Sequence, residues 1–247
     1  LRPRDARRGG DRSAQGRGRA QHQGDTGRLS FSEPALSPNG ISLKQQIALI
    51  DYGAGNLHSV ANALKRVGAD VALVSDADSL ARAERIVLPG VGAFGACYEG
   101  LAGLPGMIDA LERRVLRDGA PFLGICVGMQ LLADRGLEHG DTPGLGWIGG
   151  DVRALEASDA VKVPHMGWND VVLADDASGL VEPGEAYFLH SYAFDVTNEE
   201  HVAARTDHGG SVTAAVARDN ILGVQFHPEK SQAYGLALLE RFLKWKP

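Results

Sequence analysis

Residues 121–132 read PFLGICVGMQLL. An apolar run enters this segment, Cys126 stands at its centre, and apolar residues follow with the spacing of a helix. A strand that turns sharply into a helix exposes the side chain at the turn, as in the nucleophile elbow. Gly124 and Gly128 flank Cys126, and we expect them there because bulkier neighbours would clash in so tight a turn.

Cys126 is open to two interpretations. A lone cysteine is more commonly a buried structural residue, but the flanking glycines and the strand–helix junction favour a nucleophile. The N-terminus of a helix favours the thiolate, and the backbone N–H of Val127 would face a developing oxyanion. Cys97 lacks this setting, and we expect it to be structural.

Another apolar run, ILGVQF at residues 221–226, continues into His227, Pro228 and Glu229. Side chains two residues apart share one side of an extended segment, so we expect His227 and Glu229 to converge. A histidine that is held by a carboxylate and faces a cysteine is the general triad arrangement, in which His227 is the base and Glu229 orients it. Without Cys126, we would interpret His227 as an ordinary surface histidine.

Residues 88–94 read LPGVGAF, and the glycines at 90 and 92 predict a turn here at the end of an apolar run. Such turns line the ligand crevice at the carboxyl ends of strands in open α/β sheets. The backbone amides of Gly90, Val91 and Gly92 are therefore candidates to bind an oxyanion or a substrate. A phosphate cradle is the rival interpretation, but no Lys-Ser/Thr pair follows the turn.

Apolar runs alternate with helical periodicity along the first half of the chain, which favours a mostly parallel sheet covered on both faces. Here we predict strands over 47–50, 71–74, 86–88 and 121–125, and helices over 57–67 and, with interruptions, 93–118. In the second half we predict strands over 161–163, 170–173, 186–190, 202–206, 213–218 and 221–226, and a final helix over 236–245.

Residues 1–45 differ from the rest in composition. Eight Arg and one Lys against four acidic residues give them a net charge of +5, which leaves −11 for the remainder of a chain with net charge −6. Arg, Gly, Ser and Gln dominate, and so little apolar surface cannot offset the entropy of ordering. We expect a disordered Arg/Gly-rich leader over 1–45 and one folded domain over 46–247.

The composition also excludes several classes of protein. An acidic body argues against general nucleic-acid binding. The chain has two cysteines, too few for a disulfide scaffold, and a reducing cytoplasm fits them better. No metal-ligand spacing is present, and no apolar run approaches the roughly 18 residues of a membrane span. We therefore expect a cytoplasmic enzyme with no metal, no cofactor and no membrane contact.

Together, three segments resemble those of the class I, triad-type glutamine amidotransferases: the turn at Cys126, the His227–Glu229 pair and the glycine turn at 90–92. The resemblance covers about residues 46–247. The resemblance implies a flavodoxin-like sheet with additional antiparallel strands in the second half. It also implies glutamine hydrolysis by Cys126, His227 and Glu229, with an oxyanion strand at 90–92. By the same resemblance, substrate glutamine would contact Gln130 and the strand end formed by His190, Ser191 and Tyr192.

Residues 162–169, KVPHMGWN, are similar to the signature of one branch, the glutaminase subunits of imidazole glycerol phosphate synthases. DYGAGNL at 51–57, PGVG at 89–92 and FHPEKS at 226–231 fit the same branch. Relatives that serve anthranilate or aminodeoxychorismate synthesis usually show Pro-Gly-Pro and Cys-Leu-Gly instead.

The narrower resemblance implies a heterodimer with a (β/α)8-barrel cyclase subunit, which would receive ammonia through a closed passage. The products would be imidazole glycerol phosphate and aminoimidazole carboxamide ribotide, in histidine biosynthesis. It also implies a nearly silent isolated subunit, which the partner and its nucleotide activate. The implied partner contacts are Asn56, His165, Met166, Trp168 and Lys230.

Two alternatives remain open from the residues alone. One is a glutaminase that serves another synthase, such as that of pyridoxal phosphate or aminodeoxychorismate, against which the 162–169 segment argues. The other is a non-catalytic scaffold on this fold, against which the intact triad residues argue. Composition alone also leaves Trp168 equally open to core packing, and Lys230 to a solvated surface position.

Overall fold

The computed structural model describes residues 46–159, 161–174 and 179–247. The leader predicted over 1–45 lies outside these ranges. In them, the strands are β1 Gln46–Ile50, β2 Asp70–Val74, β3 Arg85–Gly90, β4 Phe122–Cys126, β5 Arg135–Gly136, β6 Thr142–Pro143, β7 Gly150–Ala154, β8 His165–Leu173, β9 Gly184–His190, β10 Tyr192–Val196, β11 Val202–Asp207, β12 Ser211–Arg218 and β13 Ile221–Val224. The α-helices are α1 Leu57–Arg66, α2 Ala77–Leu80, α3 Phe94–Ala102, α4 Met107–Glu112, α5 Val127–Gln130 and α6 Gln232–Lys244, and a π-helical segment, Arg113–Arg117, follows α4.

Within the described ranges, nine strands form one sheet, in the order β2-β1-β3-β4-β13-β12-β11-β8-β9. The strands from β2 to β13 in that order are parallel, and the other four extend the sheet antiparallel. Every residue of β3, β4 and β13 is buried, as a parallel sheet covered on both faces requires. The predicted fold class is confirmed, and β4, which ends at Cys126, lies inside the sheet between β3 and β13.

The strand predicted over 161–163 is wrong. The carbonyl of Lys162 is hydrogen-bonded to the His208 ring at 2.8 Å, and the N–H of Val161 to the carbonyl of Ser158 at 3.2 Å, so residues 161–163 are irregular and pair with no described strand. Pro164, which has no N–H to give to a ladder, follows it, and β8 begins at His165.

A second sheet, in the order β10-β7-β5-β6 among the described residues, was not predicted. Two of its strands have only two residues each, too short to give a periodic pattern. This sheet matters for the site because its strand β5 lies between the end of α5 and residue 138. No helix among the described residues is both long enough and apolar enough to cross a membrane.

Candidate active site

Cys126 occupies a strained turn between β4 and α5. Its φ of 54° and ψ of −111° lie in a region that non-glycine residues rarely adopt. A Cβ at Gly124 would lie 2.5 Å from the carbonyl oxygen of Gly128, and one at Gly128 would overlap the carbonyl of Leu88. The predicted need for glycine at both positions is therefore confirmed. Helix α5 is a single turn, so its help to a thiolate comes from nearby N–H groups rather than from a long helix dipole.

His227 and Glu229 are brought together by a 3-10 turn, Pro228–Lys230, and not by an extended segment as predicted. His227 Nδ1 lies 2.9 Å from Glu229 Oε1, and both side chains are 2% exposed. This contact leaves Nε2 of His227 for Cys126, whose interaction with the ring raises the pKa of His227. The three side chains therefore form a continuous line, from carboxylate to imidazole to sulfur.

The protonation state of His227 follows from these neighbours. Burial by itself would lower the pKa of the imidazole, but hydrogen bonds and charge interactions with Cys126 and Glu229 outweigh it and raise the pKa to about 9. At neutral pH the ring is thus an imidazolium, which is ready to give a proton to a leaving group.

The glycine turn after β3 lies beside the elbow. Gly90 is in register with Cys126 across the β3–β4 pair. A Cβ at Gly90 would lie 2.7 Å from the backbone nitrogen of Gly128, so the backbones approach too closely for any side chain. Gly92 has a φ of +96°, which glycine adopts without strain. The structure therefore brings the predicted oxyanion strand against the nucleophile.

A cavity of about 160 Å³ opens over Cys126. Its lining contains most of the predicted site residues together with three that were not predicted to line it. The complete lining is Val91, Gly92, Cys126, Val127, Gln130, Glu138, Leu189, His190, Ser191, Tyr192, His227 and Lys230.

Gln130 and His190 meet at one carbonyl of this lining. Gln130 Nε2 donates to the carbonyl oxygen of Tyr192 at 3.0 Å, and also to Gln225 Oε1 at 3.0 Å. His190 Nδ1 lies 2.8 Å from the same Tyr192 oxygen, and its Nε2 lies 3.0 Å from His165. Gln130 therefore has Oε1 left for a ligand, whereas both ring nitrogens of His190 are already bonded within the protein.

Two polar residues of the site, besides the apolar Leu189, were missed in the sequence. Glu138 lies in a loop after β5, where its Oε2 accepts a hydrogen bond of 2.7 Å from the N–H of Phe94, 44 positions away; no local pattern marks it. Gln225, which is 0% exposed, places its Nε2 3.6 Å from Cys126 Sγ. The sequence does mark Gln225, because it is the one polar side chain in the apolar run 221–226.

The residues implied as partner contacts divide into exposed and enclosed ones. Met166 is 65% and Trp168 46% exposed, on the same side of β8. Lys230 is exposed and lies 5.8 Å from the ring of Tyr187, which itself contacts Trp168 edge-on. These side chains form one surface, the Trp168 face.

His165 does not fit this expectation, and for Asn56 a partner contact stays a prediction. His165 is 4% exposed, because alternation along β8 turns it away from the side that carries Met166 and Trp168, so it has no ring surface to offer a partner. Asn56 is partly buried, and its side chain caps α1 by accepting from the N–H of Ser59 at 3.4 Å.

Comparison with known proteins identifies the family of this chain. Residues 48–245 match the family described as glutamine amidotransferase class-I. The imidazole glycerol phosphate synthase subunit HisH of Zymomonas mobilis is 58% identical over 205 residues, which cover 81% of this chain and 96% of that protein. The subunit of the same name from Brucella suis is 52% identical over 215 residues, or 82% and 100% of the two chains.

Among solved structures, a crystal structure of a glutamine amidotransferase aligns with a TM-score of 0.62 at 20% identity. It covers 79% of this chain and 98% of that one, which supports the fold alone. Fold, elbow and sequence identity agree: the chain belongs to the class-I glutamine amidotransferases and, within them, to the family of imidazole glycerol phosphate synthase subunits named HisH.

Proposed function

We propose that this chain is the glutaminase subunit of an imidazole glycerol phosphate synthase, and that it supplies ammonia from glutamine for histidine biosynthesis. The observation that carries the proposal is the line of Glu229, His227 and Cys126 at the floor of a cavity, in a chain 58% identical to a HisH subunit. Two free thiols in the folded part suit a reducing compartment, and we place the enzyme in the cytoplasm.

In the proposed reaction, the Cys126 thiolate attacks the side-chain amide carbon of glutamine. The N–H of Val127 and the backbone at 90–92 stabilise the negative charge that develops on the amide oxygen. His227 donates its proton to the nitrogen as the C–N bond breaks, which releases ammonia and leaves a glutamyl thioester. A water molecule, whose proton His227 takes, then hydrolyses the thioester to glutamate and restores Cys126.

Glu138 and Gln130 supply acceptors for the amino-acid end of glutamine. Glu138 keeps its second carboxylate oxygen free of backbone bonds, and Gln130 has its Oε1 free. Both line the cavity, and an ammonium group needs such acceptors. We therefore assign the α-ammonium group of the substrate to this wall.

Glu138→Gln should raise the KM for glutamine by about 10- to 100-fold with little change in kcat, because a charged hydrogen bond is lost in both the ground and transition states. Steady-state kinetics of the complex with the cyclase subunit measure this. Glu156→Gln, which removes an exposed carboxylate outside the cavity, is the matched control. An unchanged KM in Glu138→Gln would contradict the assignment.

The Trp168 face is the proposed docking surface for the cyclase subunit. Exposed Trp and Met side chains beside a cation have the composition of an interface centre rather than of ordinary surface. Lys230 belongs both to this face and to the cavity lining, so the face lies close to the point where ammonia would leave.

Trp168→Ala should weaken binding of the cyclase subunit at least about 30-fold, as is usual for an aromatic residue at the centre of an interface. Calorimetric titration with the cyclase subunit gives the Kd. Leu116→Ala is the control, since Leu116 is 48% exposed but lies in the π-helical segment Arg113–Arg117 before β4, outside the Trp168 face. Equal Kd values for the two variants would place the interface elsewhere.

The function itself is tested by mixing the chain with the cyclase subunit and glutamine, with and without the cyclase nucleotide. Glutamate release should be slow for the chain alone and should rise on addition of both. Stimulation by a different synthase instead of the cyclase subunit would overturn the proposal.

A further inference from the structure

Gln225 follows β13 directly and is fully buried beside the nucleophile. Its Oε1 accepts a hydrogen bond of 3.0 Å from Gln130 Nε2, which turns its own amide nitrogen the other way. That nitrogen lies 3.6 Å from Cys126 Sγ. A buried amide is costly unless its polar groups are bonded, and the partner here is the reacting sulfur.

We propose that Gln225 is a further catalytic residue, whose amide N–H donates to Cys126 Sγ and stabilises the attacking thiolate. A thiolate is a much better acceptor than a thiol, because hydrogen bonds to a charged atom are the stronger ones. The bond therefore favours the charged form of the sulfur. The catalytic consequence rests on the proposed glutaminase reaction, whereas the bond to sulfur does not.

The orientation of Gln225 is fixed by its neighbour Gln130. Gln130 Nε2 can give one hydrogen to Gln225 Oε1 and the other to the carbonyl oxygen of Tyr192. A carbonyl oxygen only accepts, so the Gln130 amide cannot be reversed. His190 Nδ1 bonds to the same Tyr192 oxygen at 2.8 Å and must also donate.

The chain of bonds continues through two neutral histidines. Since His190 donates from Nδ1, its Nε2 accepts, and His165 Nδ1 donates to it at 3.0 Å. His165 Nε2 then accepts from Asn169 Nδ2 at 3.0 Å, and the other hydrogen of that amide goes to the carbonyl of Asp207 at 2.7 Å. Burial lowers the pKa of both histidines to about 4, so each carries a single N–H at neutral pH.

His165 holds the ring of His190, which in turn bonds to the Tyr192 carbonyl that holds Gln130, and this makes His165 a positioning residue. Every donor and acceptor from Asn169 to Gln225 has one consistent assignment. The chain of hydrogen bonds begins on β8, the strand that carries Trp168 on its outer side. The His165 ring is stacked between Phe188 at 4.6 Å and His208 at 4.1 Å. A phenylalanine can fill the same space but cannot donate to His190.

The test is alkylation of the full chain by iodoacetamide between pH 5 and 10, with Cys126 and Cys97 resolved by peptide mass spectrometry. In Gln225→Met, which keeps the length but has no donor, the midpoint of the Cys126 profile should move to higher pH by about one unit, a roughly tenfold slower reaction on the acidic limb of the profile. Gln46→Met, at an exposed glutamine, is the matched control. A Gln225→Met profile that coincides with the control overturns the proposal.

Two further comparisons separate the bond from general damage to the fold. Gln225→Glu keeps an acceptor for Gln130 but turns a carboxylate oxygen towards the sulfur, so its midpoint should lie above that of Gln225→Met; this variant decides the case if Gln225→Met does not fold. His165→Phe should shift the midpoint in the same direction, and His165→Asn, whose amide can donate to His190, should restore it. No shift in His165→Phe overturns the positioning role.

Glutamine turnover with the cyclase subunit completes the test. In Gln225→Met, kcat should fall about tenfold, because the bond acts on the nucleophile, and KM should change less, because Gln130 keeps its bond to the Tyr192 carbonyl. The alkylation profile needs no substrate. A shifted profile in a chain that never hydrolyses glutamine would therefore overturn the proposed function and leave the bond standing.

Discussion

Cys126→Ala should lower the glutamine-dependent activity of the complex at least about 10⁴-fold, because removal of a covalent nucleophile leaves only binding and oxyanion stabilisation. Synthesis of imidazole glycerol phosphate from added ammonium salts should persist, since the cyclase subunit performs that step. The two activities are measured in the same preparation, with glutamine or ammonium chloride as nitrogen source.

Cys97→Ala is the matched control for this experiment. Both thiols are free and buried, but Cys97 packs into the core on α3 and does not line the cavity. Its removal should cost stability, as for any small core cavity, and leave glutamine-dependent turnover in the folded fraction. If Cys126→Ala retained glutamine turnover, Cys126 would not be the nucleophile, and the alternative of a non-catalytic scaffold would be favoured.

His227→Asn should lower kcat for glutamine about 10³-fold, because it removes both the proton donor to ammonia and the cation that pairs with the sulfur. In the parent enzyme the rate should decline as the pH rises through about 9, where His227 loses its proton. Glu229→Gln takes away one of the groups that raise the pKa of His227, so the decline should begin at lower pH.

The same titration affects folding. The pKa of His227 lies above its ordinary value of 6.5, so its protonation stabilises the fold fully below about pH 6.5, and this contribution disappears as the pH rises through about 9. Urea unfolding at pH 6 and pH 9.5 should show a smaller pH-dependent loss in His227→Asn than in the parent. In the kinetic experiment, a rate that declines at the same alkaline pH in Glu229→Gln as in the parent would contradict the pairing of His227 with Glu229.

The elbow could be predicted because it is local. An apolar strand, two glycines and a cysteine lie within five positions, and the clashes at Gly124 and Gly128 arise from that same segment and from β3. The contact between His227 and Glu229 was also expected, although it arises from a 3-10 turn. At two residues' separation, both geometries can bring the side chains together.

Glu138 could not be predicted because its place depends on a contact with the start of α3, far away in sequence. His165 was expected at the partner interface together with Met166, yet neighbouring residues of a strand face opposite sides. Applied to the stretch 165–169, that rule alone would have turned His165 inwards. The partner surface and the buried chain of bonds are thus two sides of one strand, β8.

The most direct measurement follows the amide nitrogen of glutamine. The complex of this chain with the cyclase subunit receives amide-¹⁵N glutamine, the nucleotide and an excess of unlabelled ammonium, and the imidazole product is analysed by mass spectrometry. We predict ¹⁵N in the imidazole ring in proportion to the glutamate formed. Product without the label would contradict the transfer of ammonia from Cys126 to the cyclase subunit.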